Sequence, residues 1–370
     1  MKDLSKISVV LPSLDPDEKL IAVVDGLLEY GFSDIILVND GSKPENLHYF
    51  EDAATAHPEI HLLHHPVNRG KGAALKTAFT WFLENRPDGV GVVTVDGDNQ
   101  HHPEDTRACA EHMAKHDRIV LGVRDFSLPQ VPLRSRSGNR ITSLVFEIFC
   151  GMTISDTQTG LRAIPTRELK LLNTIAGDRF EYETNMLLAM KAHGMAFDEV
   201  KIRTVYIEEN KSSHFRAVRD SWRIYKLILA HFFKYTLSSV VSSVFEVALV
   251  SILNLVCRNA LTGFLLTAVP TVVSRGLSSL LNFYMNKRLV FHSQVDTGRA
   301  LLRYYALAIP QMIAQLLLTH GAYTLLGLGD EQTTARVVVY VLVMGVLFIA
   351  SYMIQQRWVF AKKEDKNHEN

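Results

Sequence analysis

The chain has 370 residues, more than the roughly 100 to 200 of an average domain, so we expect two parts. Lysine plus arginine and aspartate plus glutamate each total 39, and this zero net charge excludes a strong overall attraction to nucleic acid. The three cysteines form no CxxC pair and have no histidine at metal spacing, which argues against a disulfide framework or a structural zinc. We interpret Cys109, Cys150 and Cys257 as buried thiols in a reducing compartment. Only five apolar-leaning residues precede Pro12, too few for a secretory signal, so the first part is expected to stay in the cytoplasm.

Short β-branched runs alternate with helical stretches over the first third of the chain. The predicted strands cover residues 7–11, 34–38, 61–63, 90–95 and 119–121. The predicted helices cover residues 18–30, 44–56, 71–85 and 103–115. This alternation predicts an α/β fold with a mostly parallel sheet covered by helices on both faces. Ligands bind such sheets at the carboxyl ends of the strands, so the polar loops 12–15, 39–42 and 96–100 are the expected site.

The strongest local signal is the pair Asp96 and Asp98, which follows a buried strand with one glycine between the two carboxylates. Both side chains can turn toward one point beyond the sheet edge. Two such oxygens suit Mg²⁺ or Mn²⁺ held together with waters and a diphosphate. An isolated Asp-x-Asp is more often a turn, but the neighbouring polar strand ends favour a metal site.

A second candidate is the segment 68–74, which opens a predicted helix with the sequence Asn-Arg-Gly-Lys-Gly-Ala-Ala. Its amides, the positive end of the helix and Lys71 could face a phosphate, although a plain glycine-containing turn explains the same letters. The GxxxxGK[ST] spacing of a P-loop is absent, and no GxGxxG follows the first strand, which argues against a dinucleotide-binding oxidoreductase.

The second half of the chain is dominated by apolar stretches. Residues 217–234 place Arg and Lys among aromatic and aliphatic residues, which suits a helix on a membrane surface. Four apolar stretches follow at 235–257, 261–285, 301–326 and 336–352, each about as long as the ~20 residues that cross a bilayer. Basic residues lie between spans two and three and after span four, so the positive-inside rule places these loops and the first domain in the cytoplasm.

The ends of spans two and four are alike. Residues 282–291 and 351–360 match in aromatic, Arg, Val and Phe positions, which indicates two similar helix pairs; a generic interfacial belt of aromatic and basic residues explains part of the match. Within the spans, Glu246 and Arg275 are expected at similar depth. They form either a structural ion pair or a guide for the head group of a lipid carrier.

These motifs together resemble the family-2 glycosyltransferases of the GT-A fold, most closely the polyprenyl- or dolichol-phosphate sugar synthases, and the tail resembles a GtrA-type four-helix membrane domain. The resemblance implies a Rossmann-like mixed sheet followed by an all-α transmembrane domain. We assign residues 1–216 to the catalytic domain, 217–234 to an interfacial helix, 235–360 to the membrane domain and 361–370 to a polar cytoplasmic tail.

The resemblance also implies roles for individual residues. Pro12, Leu14 and Asp15 would line the nucleotide base, Asp40 would contact the nucleoside, and Lys71 and Asp96 complete the nucleotide-binding set. Asp96, Asp98 and Gln100 would bind the metal, and Arg124, Arg134 and Arg136 would receive the acceptor phosphate. Asp98, Asp156 and Arg162 are the catalytic candidates. The sequence departs from the family pattern at Leu161, where an aromatic is expected, and at Pro16, which displaces an acidic residue.

The predicted reaction is metal-dependent, inverting transfer of a sugar from a GDP- or UDP-linked donor to a polyprenyl phosphate at the cytoplasmic face of a bacterial plasma membrane, for envelope glycan or glycoconjugate synthesis. A phosphate acceptor is already anionic and needs no strong base, whereas a hydroxyl acceptor would make Asp156 the candidate base. The alternative is a flippase for a lipid-linked sugar, or its membrane partner. A processive synthase is disfavoured because the Gln-Gln-Arg-Trp run at 355–358 follows the last span. A homo-oligomer through the membrane domain is a further expectation.

Overall fold

The computed structural model describes residues 4–129, 131–204, 217–329 and 331–361. Its contacts divide the chain into two compact units, Met1–Leu227 and Ile228–Asn370. The predicted tail beyond residue 361 and the segment 205–216 lie outside the described residues.

The first unit is built on one seven-stranded sheet. Its strands are β1 (Ile7–Ser13), β2 (Ile35–Asn39), β3 (Ile60–His64), β4 (Gly91–Thr94), β5 (Ile119–Arg124), β6 (Arg162–Pro165) and β7 (Phe197–Ile202), in the order β3-β2-β1-β4-β6-β5-β7. All neighbouring pairs are parallel except those of β6, which runs antiparallel to β4 and β5. The α/β class is therefore confirmed, with a sheet that is mixed because β6 enters between the two parallel halves.

Helices cover the sheet. They are α1 (Lys19–Glu29), α2 (Leu47–Ala56, after a short 3₁₀ turn), α3 (Lys71–Asn85), α4 (Pro103–His116), α5 (Leu133–Cys150), α6 (Thr166–Asn173) and α7 (Glu181–His193). Apolar residues of α1, α2 and α4 form one continuous core with alternate residues of β1, including Val9 and Leu11. α3 packs on β1 and β2. Every residue of β2 is buried, as a strand covered on both faces requires.

The second unit consists of helices. Its first helix is α8 (Ala217–Cys257), which begins before the boundary at Ile228. The helices α9 (Gly263–Met285), α10 (Thr297–Leu325) and α11 (Thr333–Ile354) follow. Among the described residues, four helices have the length and apolar composition to cross a membrane. The predicted interfacial helix and the first predicted span form one unbroken helix, α8. Most side chains of its first turns lie outside the description, so the surface role of residues 217–234 stays a prediction.

The two similar sequence stretches have the same structure. α9 ends in a π-helical turn at Asn286–Val290, and α11 ends in one at Gln355–Val359. Each turn begins with a buried amide side chain, and the two meet: Asn286 Nδ2 donates to Gln355 Oε1 at 3.1 Å. Gln355 Nε2 also donates to the Tyr235 hydroxyl at 3.1 Å. The repeat thus joins its halves through buried, hydrogen-bonded amides.

Candidate functional site

The site lies where β4 and β1 end and β6 begins. Asp96 follows β4, and the chain returns past it at Gly160, just before β6. A methyl group on Gly160 would overlap the Asp96 carboxylate and lie 3.1 Å from Lys71 Nζ. Glycine at this position therefore allows the backbone to pass directly beside the two charged groups.

Lys71 connects two carboxylates. Its Nζ lies 2.7 Å from Asp96 Oδ1 and 2.9 Å from Glu183 Oε1, and all three side chains are mostly enclosed. Lys71 begins α3, and Glu183 lies in the first turn of α7. Glu183 was not anticipated from the sequence, because no motif or spacing relates it to Lys71 or Asp96.

The start of α3 differs from an open phosphate cradle. The Ala73 amide donates to the Asp178 carbonyl at 2.9 Å, so the segment before α7 covers this helix end. Lys71 instead points to Asp96, which follows β4, and to Glu183 of α7. Lys71 thus reaches the predicted site. At least one of the backbone N–H groups that were expected to face a phosphate is already hydrogen-bonded within the protein.

Burial and charge oppose each other in this cluster. Burial disfavours the charged forms, but attraction between Lys71 and the carboxylates of Asp96 and Glu183 outweighs it and raises the pKa of Lys71. The same attraction, with His101, holds the pKa of Asp96 well below its usual range despite burial. Burial and the negative charge of Asp96 raise the pKa of Asp98. The repulsion between the neighbouring carboxylates of Asp96 and Asp98 favours the binding of a cation between them.

Two other polar groups belong to this loop. The backbone N–H of Gln100 donates to Asp98 Oδ1 at 3.1 Å, which orients the carboxylate. His101 has an 8% exposed side chain, with Nε2 3.7 Å from Asp96 Oδ2. Its Nδ1 is buried and has no hydrogen-bond partner among the described residues. His101 therefore lies beside Asp96 in the interior of the site.

Asp40 shapes the neighbouring loop from a buried position. Its carboxylate accepts hydrogen bonds from the amides of Arg69 at 3.0 Å and Gly70 at 2.7 Å, and lies 2.7 Å from His65 Nδ1. The next residue, Gly41, has a φ of 73°, and a side chain there would collide with the backbone at Val67. Both Asp40 oxygens are therefore engaged in fixing the 65–70 loop.

The end of β1 is fixed in a similar way. Pro12 is buried, and Leu14 and Asp15 are half-buried. Asp15 has a φ of 48°, and its Oδ1 accepts from the Lys43 amide at 2.8 Å. The Ser42 hydroxyl accepts from the Asp15 amide at 2.8 Å. These bonds join the loops after β1 and β2, two of the three loops in which the site was expected.

Asp156 and Arg124 form a second cluster, at the end of β5. Arg124 Nε lies 2.7 Å and Nη2 3.2 Å from the two Asp156 oxygens, a bidentate pair. The Asp156 side chain is 0% exposed, so it does not face an incoming hydroxyl in this conformation. Asp156 instead holds the guanidinium of Arg124 in place.

Arg162 lies next to the cluster of Lys71, Asp96 and Glu183, and its side chain is buried, with 2% exposed. It donates to the Thr159 carbonyl at 3.1 Å and the Glu183 carbonyl at 2.7 Å, and its Nη2 has no partner among the described residues. Burial lowers the pKa of Arg162, and nearby carboxylates oppose this effect. Arg162 therefore supports the backbone around Glu183.

The remaining predicted arginines lie in α5. Arg136 Nη2 donates to the Leu128 carbonyl at 2.8 Å, which ties the helix to the loop before it, and its Nε is buried without a partner among the described residues. Arg134 lies in the same helix, but its side chain is outside the described part of the chain. The free cysteines Cys109 and Cys150 are buried, as predicted, and burial raises the pKa of each thiol to about 12. Cys257 is only half-buried, so the prediction of a buried thiol was wrong there.

The fold and this site define an α/β enzyme domain joined to a unit of membrane-spanning helices. Residues 8–172 match the family described as glycosyl transferase family 2, and residues 251–360 match the GtrA/DPMS transmembrane domain. The protein is thus a glycosyltransferase that combines a family 2 domain with a GtrA/DPMS membrane domain.

Curated relatives align with between half and two thirds of the chain. An uncharacterised protein of Methanocaldococcus jannaschii is 27% identical over 233 residues, which are 62% of this chain and 93% of the relative. A UDP-N-acetylglucosamine–dolichyl-phosphate N-acetylglucosaminyltransferase of Methanococcus voltae is 26% identical over 55% of this chain and 86% of its own. An undecaprenyl-phosphate mannosyltransferase of Micrococcus luteus is 25% identical over 56% of this chain and 86% of its own.

Proposed function

We propose that this protein transfers a sugar from a nucleotide-sugar to a polyprenyl phosphate and so makes a lipid-linked sugar. The observation that carries the proposal is the carboxylate pair Asp96 and Asp98 at the strand ends, with Asp96 held by Lys71. The relatives named for dolichyl-phosphate and undecaprenyl-phosphate transfer support the acceptor class, since their similarity covers the catalytic part of the chain. The membrane domain supports the proposal, because polyprenyl phosphates are found in membranes.

The donor set of the site fits Mg²⁺ or Mn²⁺. Among the described residues, no group of three or more histidine, cysteine, aspartate or glutamate side chains could hold a metal. Asp96 and Asp98, with Gln100 beside them, match a hard cation that takes its other ligands from water and the donor diphosphate. When bound, the cation would stabilise negative charge on the departing nucleoside diphosphate. Asp96 and Asp98 would hold it, and Gln100 would complete the set.

We assign the donor to the loops after β1 and β2. Pro12, Leu14 and Asp15 would line the nucleotide base, where the Asp15 bonds keep the loop in one shape. Asp40 would act by fixing the 65–70 loop beside the nucleoside, because its own oxygens are engaged. Lys71 would move between Asp96 and the donor diphosphate, to which its charge is complementary. The donor would be a GDP- or UDP-linked sugar.

The acceptor phosphate would bind to arginines at the end of β5 and in α5. Arg124 is oriented by the buried Asp156, and Arg134 and Arg136 lie on the following helix. Guanidinium groups suit phosphate because their planar forks match its oxygens. An anionic phosphate oxygen would attack the anomeric carbon as the nucleoside diphosphate leaves, with inversion and without a strong general base. Asp156 and Arg162 would position the groups near the transferred sugar rather than exchange protons.

The catalytic unit is proposed to face the cytoplasm of a bacterium. Lys287 and Arg288 lie in the turn after α9, and Arg299 lies in the first turn of α10. By the positive-inside rule, this basic stretch would face the cytoplasm. The product would then serve in glycan or glycoconjugate synthesis.

The test is transfer of radiolabelled sugar from a panel of nucleotide-sugars to polyprenyl phosphate in detergent. We expect transfer from one donor that requires Mg²⁺ or Mn²⁺ and is lost in Asp98→Ala. Folded protein that transfers no sugar from any donor would contradict the proposal and favour a role in handling a lipid-linked sugar.

A second prediction concerns Glu183. In Glu183→Gln, Asp96 is the one anionic partner left to Lys71 among the described residues, so Lys71 holds this proposed metal ligand more tightly. We expect several-fold more Mg²⁺ or Mn²⁺ to be needed for half-maximal activity. Glu181→Gln changes the other acidic residue in the first turn of α7 and is the matched control. An unchanged metal requirement in both variants would refute this role for Glu183.

A further inference from the structure

Arg275 presents a charge on the outside of the membrane unit. Its Nε lies 3.2 Å from Glu246 Oε1, yet 75% of the arginine side chain is exposed, against 21% for Glu246. The Ser278 hydroxyl donates to the other Glu246 oxygen at 2.8 Å. Glu246 is thus well supplied with partners, and Arg275 is not.

The position of Arg275 along α9 makes this exposure unusual. The helix spans Gly263–Met285, so Arg275 is 275 − 263 = 12 residues from one end and 285 − 275 = 10 from the other. At about 1.5 Å per residue this places it roughly 15 to 18 Å from either end of the helix. That is the middle of a hydrocarbon layer about 30 Å thick. An arginine side chain can extend to the water at the membrane surface only from a position near a helix end.

A guanidinium has five N–H donors, and lipid tails accept none of them. In the described part of the chain, only the Arg275–Glu246 contact engages this guanidinium. The exposed N–H groups of Arg275 must therefore be covered by hydrogen-bond acceptors at the same depth in the membrane. A lipid phosphate does not satisfy this condition, because head groups lie at the bilayer surface.

The surrounding face permits close approach of another helix. Gly276 is exposed, and a methyl group there would meet no atom within 4 Å. Thr271, one turn before Arg275, is also exposed. Small residues at such positions let helix backbones approach each other within membranes.

We infer that a second copy of this chain covers the α8–α9 face, related by a two-fold axis. An adjacent positive and negative charge form a self-complementary pair under such an axis: Arg275 of each copy meets Glu246 of the other. The N–H groups of Arg275 that do not contact its own Glu246 would then face a carboxylate. This inference does not depend on the reaction that the first unit catalyses.

The experiment uses the full chain, with Cys257→Ser as background, in lipid nanodiscs or native membranes. Gly276→Cys is expected to form a disulfide-linked dimer on mild oxidation. Gly345→Cys is the matched control, because this glycine also faces open space in the middle of a span, α11. It is expected to remain monomeric on oxidation.

Charge variants test the pairing itself. Arg275→Glu is expected to abolish the dimer, since four carboxylates would then meet, and Glu246→Arg with Arg275→Glu is expected to restore it. The inference is overturned if Gly276→Cys gives no dimer while the folded protein is monomeric in nanodiscs. Crosslinking of Gly276→Cys to a different protein, without a self-linked dimer, would equally overturn it.

Discussion

Gly160 determines how closely the backbone approaches Lys71 and Asp96. In Gly160→Ala the new methyl overlaps the Asp96 carboxylate, so we expect loss of transfer activity and a free energy of unfolding lowered by about 1–3 kcal/mol, the usual cost of overpacking. Gly138→Ala is the control, because its methyl meets no atom within 4 Å inside α5. That change is expected to be neutral or to stabilise by about 0.5–1 kcal/mol. Equal effects in chemical denaturation would contradict the close approach at Gly160.

Asp98 makes the stability of the metal-free protein depend on pH. Burial and Asp96 raise its pKa, so the folded state binds this proton more tightly than the unfolded state. The resulting destabilisation is fully present above the raised pKa and disappears as pH falls toward about 3.9, the pKa of an unfolded aspartate. We expect Asp98→Asn to raise the free energy of unfolding at pH 7 by up to about 1 kcal/mol, since the group is only partly enclosed.

The measurement is denaturation with a chelator at pH 7 and near pH 4, where the difference should vanish. Asp88→Asn, in an exposed loop, is the control. A lower stability of Asp98→Asn at pH 7 would contradict the proposed repulsion. Adding Mg²⁺ or Mn²⁺ should stabilise the natural sequence and not the variant.

Single residues show how far the sequence could predict the site. The position of Asp96 and Asp98 after a buried strand was predictable, because the apolar run of the strand and the polar loop after it are both visible in the sequence. Glu183 and the partnership of Arg124 with Asp156 were not, because each depends on a contact between residues 32 or more positions apart. A carboxylate that lies 112 positions beyond its lysine, as 183 − 71 gives, has no local signal.

At the scale of elements, the five strands with long apolar runs were predicted close to their observed bounds. β6 was missed because it has only four residues and ends in proline, which usually marks a strand edge. Its pairing with both β4 and β5 buries it despite this composition. β7 was missed because three of its six residues, Asp198, Glu199 and Lys201, are charged, so the segment has no clear apolar pattern.

The amide contact between the two π-helical turns is testable by a double-mutant cycle. Asn286→Leu removes the donor to Gln355 Oε1, and Gln355→Leu removes this acceptor of Asn286 Nδ2. Each buried amide keeps its other bonds but loses this one, at a cost of up to about 1–3 kcal/mol. The double variant removes both amides, so its loss of stability should be smaller than the sum of the two single losses. Thermal unfolding in detergent provides the comparison. Strictly additive losses would show that the two amides do not depend on each other.

At the scale of the whole molecule, four spans require both ends of the membrane unit to lie on the same side. We predict that a cysteine at Gln294, in the α9–α10 loop, reacts with a membrane-impermeant reagent only from the side of the catalytic unit. A cysteine at Gln332, in the α10–α11 loop, should react only from the opposite side. Labelling of intact cells and inverted vesicles, with Cys257→Ser as background, distinguishes the two. Reaction of both sites from one side would contradict the four-span arrangement.

The paired π-helical turns also carry historical information. A π-helical turn closes its hydrogen bonds over one residue more than an α-helical turn, so one inserted residue can convert the second into the first. Asn286 and Gln355 begin their turns 355 − 286 = 69 positions apart, the same offset that aligns Phe291 with Phe360. In both turns the amide of the phenylalanine donates to the carbonyl of the residue that begins the turn, at 2.9 Å. If the helix pair was duplicated, as the similar sequences predict, one insertion in the ancestral pair would account for both turns and would be older than the four-helix domain.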